Sequence, residues 1–303
     1  MYSLIATILC GIIMMAVGAF VQEKKGVATL ATLLLLVLTG INAYEAMTVG
    51  GGKYILNATL SADNVSTWFN TLMTGCTCWY VVLVGRDIRK VGSHVADYFA
   101  LIFFTLCGLY LLSSYNTLLM LFLGIEIISI PQYILAGADK RNLKSSEASL
   151  KYFLMGSFST GLLLMGIALL YGASGTFDIH GLVFTQGSSY SPLALGGIFL
   201  LLVSLGFKVS AAPMHLWTPD VYDGAPTPFT AYMATIMKLA AFYAFMRLFH
   251  DSFGIVSETW LPVLYVVTVL TLLIGNFTAV FQQSVKRMLA YSSIAQAGFM
   301  LFA

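Results

Sequence analysis

Four charged side chains lie inside long apolar runs of the sequence. Glu126 and Lys238 fall near the middle of their runs, and Lys151 and Lys208 lie within two others. A charge at the centre of a bilayer costs roughly 2.5–3.5 kcal/mol on insertion scales, so such residues usually face a bundle interior or a water-filled path. Moving an acid relative to a lysine in such a place loads or releases a proton. These residues predict proton transfer within a membrane.

Lys208 comes shortly before a predicted break in its helix. Pro213 frees a backbone carbonyl near Lys208, and irregular backbone at membrane depth is tolerated where it is buried or lines a cavity. His215 follows Lys208 by about two helical turns, so the two would share a face of a continuous helix. An imidazole titrates near neutral pH, which makes His215 a candidate proton relay; a hydrogen-bonded packing histidine is the alternative.

Several of these charged residues also have a purely structural interpretation. Lys151 lies four residues after Glu147, where an i, i+4 ion pair and snorkelling would satisfy it. Asp220 and Asp223 follow the predicted break, and either cap the second half of the helix or contact a neighbouring subunit. The buried charges as a set could also serve only as ion pairs that lock helices together.

The composition excludes an ordinary soluble enzyme. Of 303 residues, 59% are hydrophobic and 9% are charged, against about 25% charged residues in soluble domains. A globular protein of this length needs more polar side chains to cover its surface. The formal net charge of +2 is too small for a nucleic-acid-binding surface. The sequence therefore predicts an all-α polytopic membrane protein.

No residue pattern predicts a metal or redox centre in this chain. Cys10, Cys76, Cys78 and Cys107 all lie in apolar runs, and no second ligand pair stands at metal spacing. We interpret them as small hydrophobic residues. The sequence also shows no nucleotide-binding fingerprint, no paired-histidine helix and no nucleophile–base pair.

About ten stretches are long and apolar enough to cross a bilayer, which takes about 20 residues. They lie near 3–21, 27–48, 64–85, 96–114, 116–138, 147–171, 193–216, 227–249, 258–282 and 287–303.

Basic residues alternate between the short loops that join these spans. Lys53 and Arg247 are the two that fall in even-numbered loops. Because short basic loops stay on the cytoplasmic side, the N-terminus is predicted to face away from the cytoplasm. The basic residues in odd-numbered loops are Lys24, Lys25, Arg86, Arg89, Lys90, Lys140, Arg141, Lys144, Lys286 and Arg287.

Residues 206–228 closely resemble the signature of the antiporter-like subunits of respiratory complex I. The Trp-Thr-Pro-Asp-Val-Tyr form at 217–222 is similar to the subunit N branch of bacterial NADH:quinone oxidoreductase, the counterpart of mitochondrial subunit 2. Further segments agree: Phe-Leu-Gly-Ile-Glu at 122–126, Glu-Ala-Ser-Leu-Lys-Tyr at 147–152 and Val-Lys-Arg-Met-Leu-Ala-Tyr-Ser-Ser-Ile at 285–294.

This resemblance implies a fold of inverted five-helix repeats and roles for the buried charges. Glu126 would be the glutamate of the fifth helix, Lys208 the lysine of the broken seventh helix, Lys238 the relay lysine of the eighth and Lys151 a further lysine of the sixth. The implied organisation is an N-terminal three-helix segment at 1–95, one complete repeat at about 96–249, and the start of a second repeat at 250–303. On this reading the second repeat is incomplete and the chain is truncated.

The resemblance further implies a membrane-arm subunit that couples electron transfer from NADH to quinone to proton translocation. Flavin mononucleotide, iron–sulfur clusters and the quinone would then be bound by partner subunits and not by this chain. Its partners would be the other membrane-arm subunits, especially neighbouring antiporter-like ones, in a bacterial inner membrane. Two alternatives remain: a subunit of a multisubunit cation/proton antiporter, and a truncated scaffold subunit.

Overall fold

A computed structural model describes residues 2–20, 26–48, 53–91, 94–186 and 189–303. The predicted basic loop at Lys24 and Lys25 lies outside the described residues. The helices are α1 (Tyr2–Phe20), α2 (Val27–Thr48), α3 (Asn64–Val91), α4 (Val95–Ser114), α5 (Leu118–Ala136), α6 (Leu143–Ser174), α7 (Pro192–Val209), α8 (Trp217–Gly224), α9 (Thr227–Tyr232), α10 (Lys238–Met246), α11 (Ser257–Val280) and α12 (Val285–Phe302).

The chain is an all-α polytopic membrane protein, as the composition predicts. Within the described ranges, eight helical segments are long and apolar enough to cross a membrane. Two of the ten predicted spans, α3 and α12, are helical but do not reach the same apolarity because they contain more polar and charged residues.

Two short antiparallel hairpins interrupt the helical pattern, and neither is predicted from the sequence. In the first, β1 (Lys53–Ile55) pairs with β2 (Leu60–Ala62); in the second, β3 (Thr185–Gln186) pairs with β4 (Ser189–Tyr190). Each hairpin lies in the connection between two long helices, so neither changes the fold class.

The predicted span at 193–216 is two helices and not one. The first, α7, ends at Val209, where Ser210 adopts a left-handed conformation with φ of 65°. Hydrogen bonds from the Ser210 and Ala211 amides to the carbonyls of Phe207 and Gly206, at 3.1 and 2.8 Å, close the helix end as a Schellman motif. The chain becomes helical again at Trp217, so the break predicted from Pro213 is confirmed.

The membrane span that follows α8 is one continuous helix with two wider turns. From Thr227 to Ser252, α9 and α10 are joined by a π-helical turn at Met233–Met237, and a second π turn follows at Arg247–Ser252. Such turns often occur at functional sites. The first π turn ends immediately before Lys238 and so sets the direction of that side chain.

Helix α4 is the most deeply buried span and packs against α1, α5 and α10. Glycines allow the closest approaches between helices. A Cβ on Gly108 of α4 would lie 2.8 Å from the carbonyl oxygen of Gly124 on α5, and a Cβ on Gly197 of α7 would lie 2.9 Å from that of Gly166 on α6. Small residues at such crossings are typical of membrane helices, because lipid offers no hydrophobic force that favours helix association.

Gly224 allows the second half of the broken helix to lie directly on α6. A Cβ at this position would meet the backbone oxygen of Lys144 at 2.5 Å and the Cβ of Ala148 at 2.8 Å. The contact at Lys144 is with backbone, which cannot rotate away as a side chain could. The position of α8 therefore depends on the absence of a side chain at residue 224.

We expect Gly224→Ala to displace α8 and to lower the free energy of unfolding by about 1–3 kcal/mol, the usual cost of overpacking. The measurement is thermal melting in mild detergent. Gly161→Ala on α6 is the control, because no atom lies within 4 Å of the added Cβ. Equal melting temperatures for the two variants would contradict this account of α8.

Candidate proton-transfer site

The acidic residue of the site lies on the face of α5 that meets α6. Glu126 is half-buried, and its Oε1 accepts a hydrogen bond from Thr160 Oγ1 of α6 at 2.8 Å. Ser129 follows one turn later on the same helix and is buried. The spacing of three residues places Glu126 and Ser129 on one side of α5, facing the neighbouring helices.

Lys208 contacts a hydroxyl group instead of the glutamate. Its Nζ donates to Ser129 Oγ at 2.6 Å, near the C-terminal end of α7. Within the described residues no salt bridge of 4.0 Å or less joins Lys208 to Glu126. Glu126 is bound to Thr160 and Lys208 to Ser129, so the two do not form a direct ion pair, and a change of rotamer is needed to bring the charges together.

Lys238 is buried, with 7% of its surface exposed. Its Nζ donates to the carbonyl oxygen and to Oγ of Ser293 on α12, both at 2.7 Å. These two acceptors satisfy two of the three donors of the ammonium group. Lys238 is therefore a buried cation that is held by neutral oxygen atoms.

One interior cavity lies between the two lysines. Lys208 and Lys238 both line it, together with Ser129, Gln132 and Tyr222. It leaves about 40 Å³ of space for water, which is more than the minimum that a buried water molecule needs. The structure thus brings Lys208 and Lys238, which are far apart in sequence, to one polar pocket inside the bundle.

Lys151 belongs to a separate, more exposed cluster. Its Nζ lies 2.8 Å from Glu147 and 2.9 Å from Asp220, so the predicted i, i+4 pair is confirmed. Asp220 also binds Arg287 of α12 at 2.8 Å. One carboxylate on α8 thereby connects α6 to α12.

Asp220 lies outside the eight candidate spans. Partial burial raises the pKa of Asp220, but the hydrogen bonds and charges of Lys151 and Arg287 lower it, and the net result is a pKa below the ordinary value. Its charged form is therefore stabilised by these partners.

Asp223, the second acidic residue after the break, is bound by residues at the N-terminal end of α12. Asp223 Oδ1 accepts from Ser284 Oγ at 2.8 Å, directly before α12 begins. Lys286 Nζ donates to the carbonyl oxygens of Asp223 and Ala225 at 3.2 and 2.9 Å. Both aspartates therefore have partners within this chain, and the basic pair predicted only as a topology signal also fastens α8.

His215 lies in the non-helical segment between α7 and α8. It is buried, and its Nδ1 has no hydrogen-bond partner among the described residues. The side chain does not line the cavity of Lys208 and Lys238. Because the helix ends at Val209, the face that His215 and Lys208 would share on a continuous helix does not exist. Its relay role stays a prediction.

Two buried charges were missed in the sequence. Glu45, in the predicted span 27–48, is buried on α2 and accepts from the Tyr2 amide at 2.6 Å and from Ser3 Oγ at 2.5 Å. Arg247 was assigned to an even-numbered loop, but it lies in a helical turn, is buried and donates to the Ser113 carbonyl at 2.5 Å. The sequence carries no signal for Arg247, because a basic residue at the end of an apolar run looks like a topology signal.

The hydroxyl partners of the site were also missed. Ser129 had a usable signal, because it stands one turn after Glu126. Thr160 and Ser293 had none, since each is more than 30 residues from the charge that it contacts.

The cysteines differ in their surroundings. Cys10, Cys78 and Cys107 are buried, whereas Cys76 is exposed. In the part of the chain that the structure describes, no group of three or more His, Cys, Asp or Glu residues could hold a metal ion.

We expect Asp220→Asn to weaken the attachment of α8 to α6 and α12. Because Lys151, Asp220 and Arg287 are partly exposed, each lost ion pair should cost about 0.2–1 kcal/mol. The measurement is thermal melting in detergent at low and high salt, with the larger loss at low salt. Because the pKa of Asp220 is lowered in the folded chain, the contribution should begin to fall as the pH drops through the ordinary aspartate pKa of about 3.9, and it should vanish only below the lowered pKa.

Asp223→Asn is the matched control on the same helix, because the amide oxygen still accepts the hydrogen bond from Ser284. A salt-independent difference between the Asp220 variant and the original protein would contradict the ion-pair interpretation.

Comparison with known proteins places the site in a family. The family model described as "NADH:quinone oxidoreductase/Mrp antiporter, TM" matches residues 115–303. NADH-quinone oxidoreductase subunit N of Cytophaga hutchinsonii is 41% identical over 301 residues, which cover 99% of this chain and 65% of the relative. The corresponding protein of Trichlorobacter lovleyi is 39% identical over 297 residues, covering 96% of this chain and 60% of the relative. This chain thus spans somewhat less than two thirds of the length of these relatives.

Solved structures agree with the fold. A chain of respiratory complex I from Thermus thermophilus superposes with a TM-score of 0.81 at 33% identity, covering 99% of this chain and 63% of that one. A chain of the Mrp complex from Dietzia sp. superposes with a TM-score of 0.82 at 21% identity, covering 99% and 58%, and this likeness concerns the fold alone. The broken helix, the buried charges and these matches show that the chain belongs to the NADH:quinone oxidoreductase/Mrp antiporter transmembrane family.

Proposed function

We propose that this chain is part of a membrane-arm subunit of a proton-translocating NADH:quinone oxidoreductase. The observation that carries the proposal is the shared cavity of Lys208 and Lys238, with Glu126 on the adjoining face of α5. The naming of the relatives as subunit N supports the same conclusion. The channel is assigned to residues 96–249, between an N-terminal segment at 1–95 and the part that follows at 250–303.

Proton transfer in this proposal depends on the distance between Glu126 and Lys208. In the structure Lys208 is held by Ser129 and Glu126 by Thr160, so the two charges are apart. Moving Lys208 towards Glu126 stabilises its ammonium form, and moving it back makes loss of the proton easier. Water in the cavity then carries the proton between Lys208 and Lys238.

The other sequence-predicted residues have subordinate roles in this proposal. Lys151 is tied by ion pairs to Glu147 and Asp220, so it supports the position of α8 and influences the channel through its charge. His215 is a relay candidate because its Nδ1 is free to bind water or to accept a proton after a small movement of the break.

The energy for this cycle comes from redox chemistry in partner subunits. Flavin mononucleotide, iron–sulfur clusters and quinone belong to those subunits, and the neighbours of this chain are other membrane-arm, antiporter-like subunits. The complex lies in a bacterial inner membrane, with the N-terminus of this chain on the non-cytoplasmic side. The support for this orientation is the basic residues of the odd-numbered loops.

A subunit of a multisubunit cation/proton antiporter is the second candidate. The family description includes Mrp antiporters, and the Dietzia structure has the same fold. An antiporter would use the same buried charges without electron transfer. The names of the more similar relatives favour the oxidoreductase.

In the assembled complex, we expect Glu126→Gln and Lys208→Met to slow proton translocation by about a hundredfold or more, the contribution typical of a positioned acid–base group. The measurement is the rate of NADH-driven proton translocation in membrane vesicles, divided by the amount of assembled complex. Lys140→Met is the control, because Lys140 is exposed in the connection between α5 and α6. Full pumping by both site variants would contradict the proposal and leave a scaffold role.

We also expect flavin and iron–sulfur absorbance bands in the complex that co-purifies with this chain from its native membrane in mild detergent. These bands belong to the partner subunits and report that the chain is assembled with redox centres. A colourless, intact complex, together with growth that depends on this gene only at high salt, would instead establish the antiporter.

A further inference from the structure

The contact between Lys238 and Ser293 joins the helix of the relay lysine to a helix outside the assigned channel. Lys238 begins α10, within residues 96–249, and Ser293 lies in the middle of α12. Both bonds from Lys238 Nζ, at 2.7 Å, end on this one residue. Ser293 therefore determines where the ammonium group of Lys238 is held.

No carboxylate takes part in this contact. Among the described residues no Asp or Glu lies within salt-bridge distance of Lys238, although the lysine is only 7% exposed. By contrast, the partly exposed Lys151 has two carboxylate partners. A carboxylate at Lys238 would hold its proton strongly, whereas a neutral oxygen leaves the lysine able to release it.

The two acceptor atoms of Ser293 differ in what they can do when Lys238 loses a proton. The carbonyl oxygen only accepts hydrogen bonds, whereas the hydroxyl both accepts and donates. When Lys238 is charged, the hydroxyl accepts from its N–H, as in the structure. When Lys238 is neutral, rotation about the C–O bond lets the same hydroxyl donate to the lone pair on Nζ.

We propose that Ser293 is a positioning residue that holds Lys238 at the cavity in both of its protonation states. In the release step, one N–H bond of the ammonium breaks, its electron pair stays on Nζ, and the proton passes to a water molecule in the cavity. The hydroxyl of Ser293 then reverses its hydrogen bond, so the neutral lysine stays in place to accept the next proton. This inference rests on the proposed function of the chain.

Substitutions of equal shape separate the hydroxyl from the volume of the side chain. Ser293→Thr keeps a hydroxyl, and Ser293→Val has nearly the shape of threonine without one. In the assembled complex we expect the threonine variant to translocate protons at close to the original rate. The valine variant should be about tenfold slower, since it loses one charge-assisted hydrogen bond of Lys238.

The measurement is the rate of NADH-driven proton translocation, divided by the amount of assembled complex determined in parallel. Ser293→Ala is a second variant without a hydroxyl, and its side chain is no larger than that of serine. If the valine variant does not assemble, the alanine variant is compared with the threonine variant instead. Ser292→Ala is the control, because the neighbouring Ser292 is exposed and its side chain leaves α12 about 100° around the helix axis from that of Ser293. Equal translocation by the alanine or valine variant and the threonine variant would overturn the proposal.

Lys238→Met distinguishes a failure of this inference from a failure of the proposed function. If Lys238→Met abolishes translocation and the variants of Ser293 without a hydroxyl pump normally, then the lysine acts without help from Ser293 and only this inference is wrong. If Lys238→Met itself pumps fully, then the proposed route through Lys238 is wrong.

Discussion

The constraint on which this structure depends is that a backbone broken inside a membrane must still satisfy its polar groups. At the break, the Trp217 ring nitrogen donates to the Phe207 carbonyl at 3.0 Å, and Thr271 Oγ1 accepts from the Ala212 amide at 2.8 Å. In hydrocarbon an unsatisfied group costs several kcal/mol. Partners from α8 and α11 make the break possible, and the break leaves Lys208 at the end of a helix.

The two lysines of the site are held in a way that suits proton transfer. Lys208 donates to Ser129, and Lys238 donates to Ser293, in each case to a serine oxygen. A buried ion pair is stabilised by Coulomb attraction in a low dielectric and gives up a proton with difficulty. A neutral oxygen satisfies the donor without that attraction, so the protonation state can change at a smaller cost.

Ion pairs with carboxylates surround the second half of the broken helix instead. Asp220 joins Lys151 to Arg287 there, and Asp223 binds Ser284 at the start of α12. These contacts hold α8 between α6 and α12, while Gly224 allows the close approach of α8 to α6. The pairs with carboxylates thus position the broken helix, and contacts with neutral hydroxyl groups are left for the site itself.

The sequence by itself determined the class of protein, the approximate spans and the break before Trp217, because apolar length and proline act locally along the chain. It also identified Glu126, Lys208 and Lys238, since charge in an apolar run is visible without a fold. Only the tertiary structure decided the partners: Thr160 and Ser293 are remote in sequence from the charges they contact. It also decided that Glu126 and Lys208 are not in direct contact, and that Arg247 is buried. The physical reason is that a charged residue inside an apolar run can be recognised from its immediate sequence neighbours. The oxygen atoms that offset its desolvation come from whichever helices pack against it in the fold.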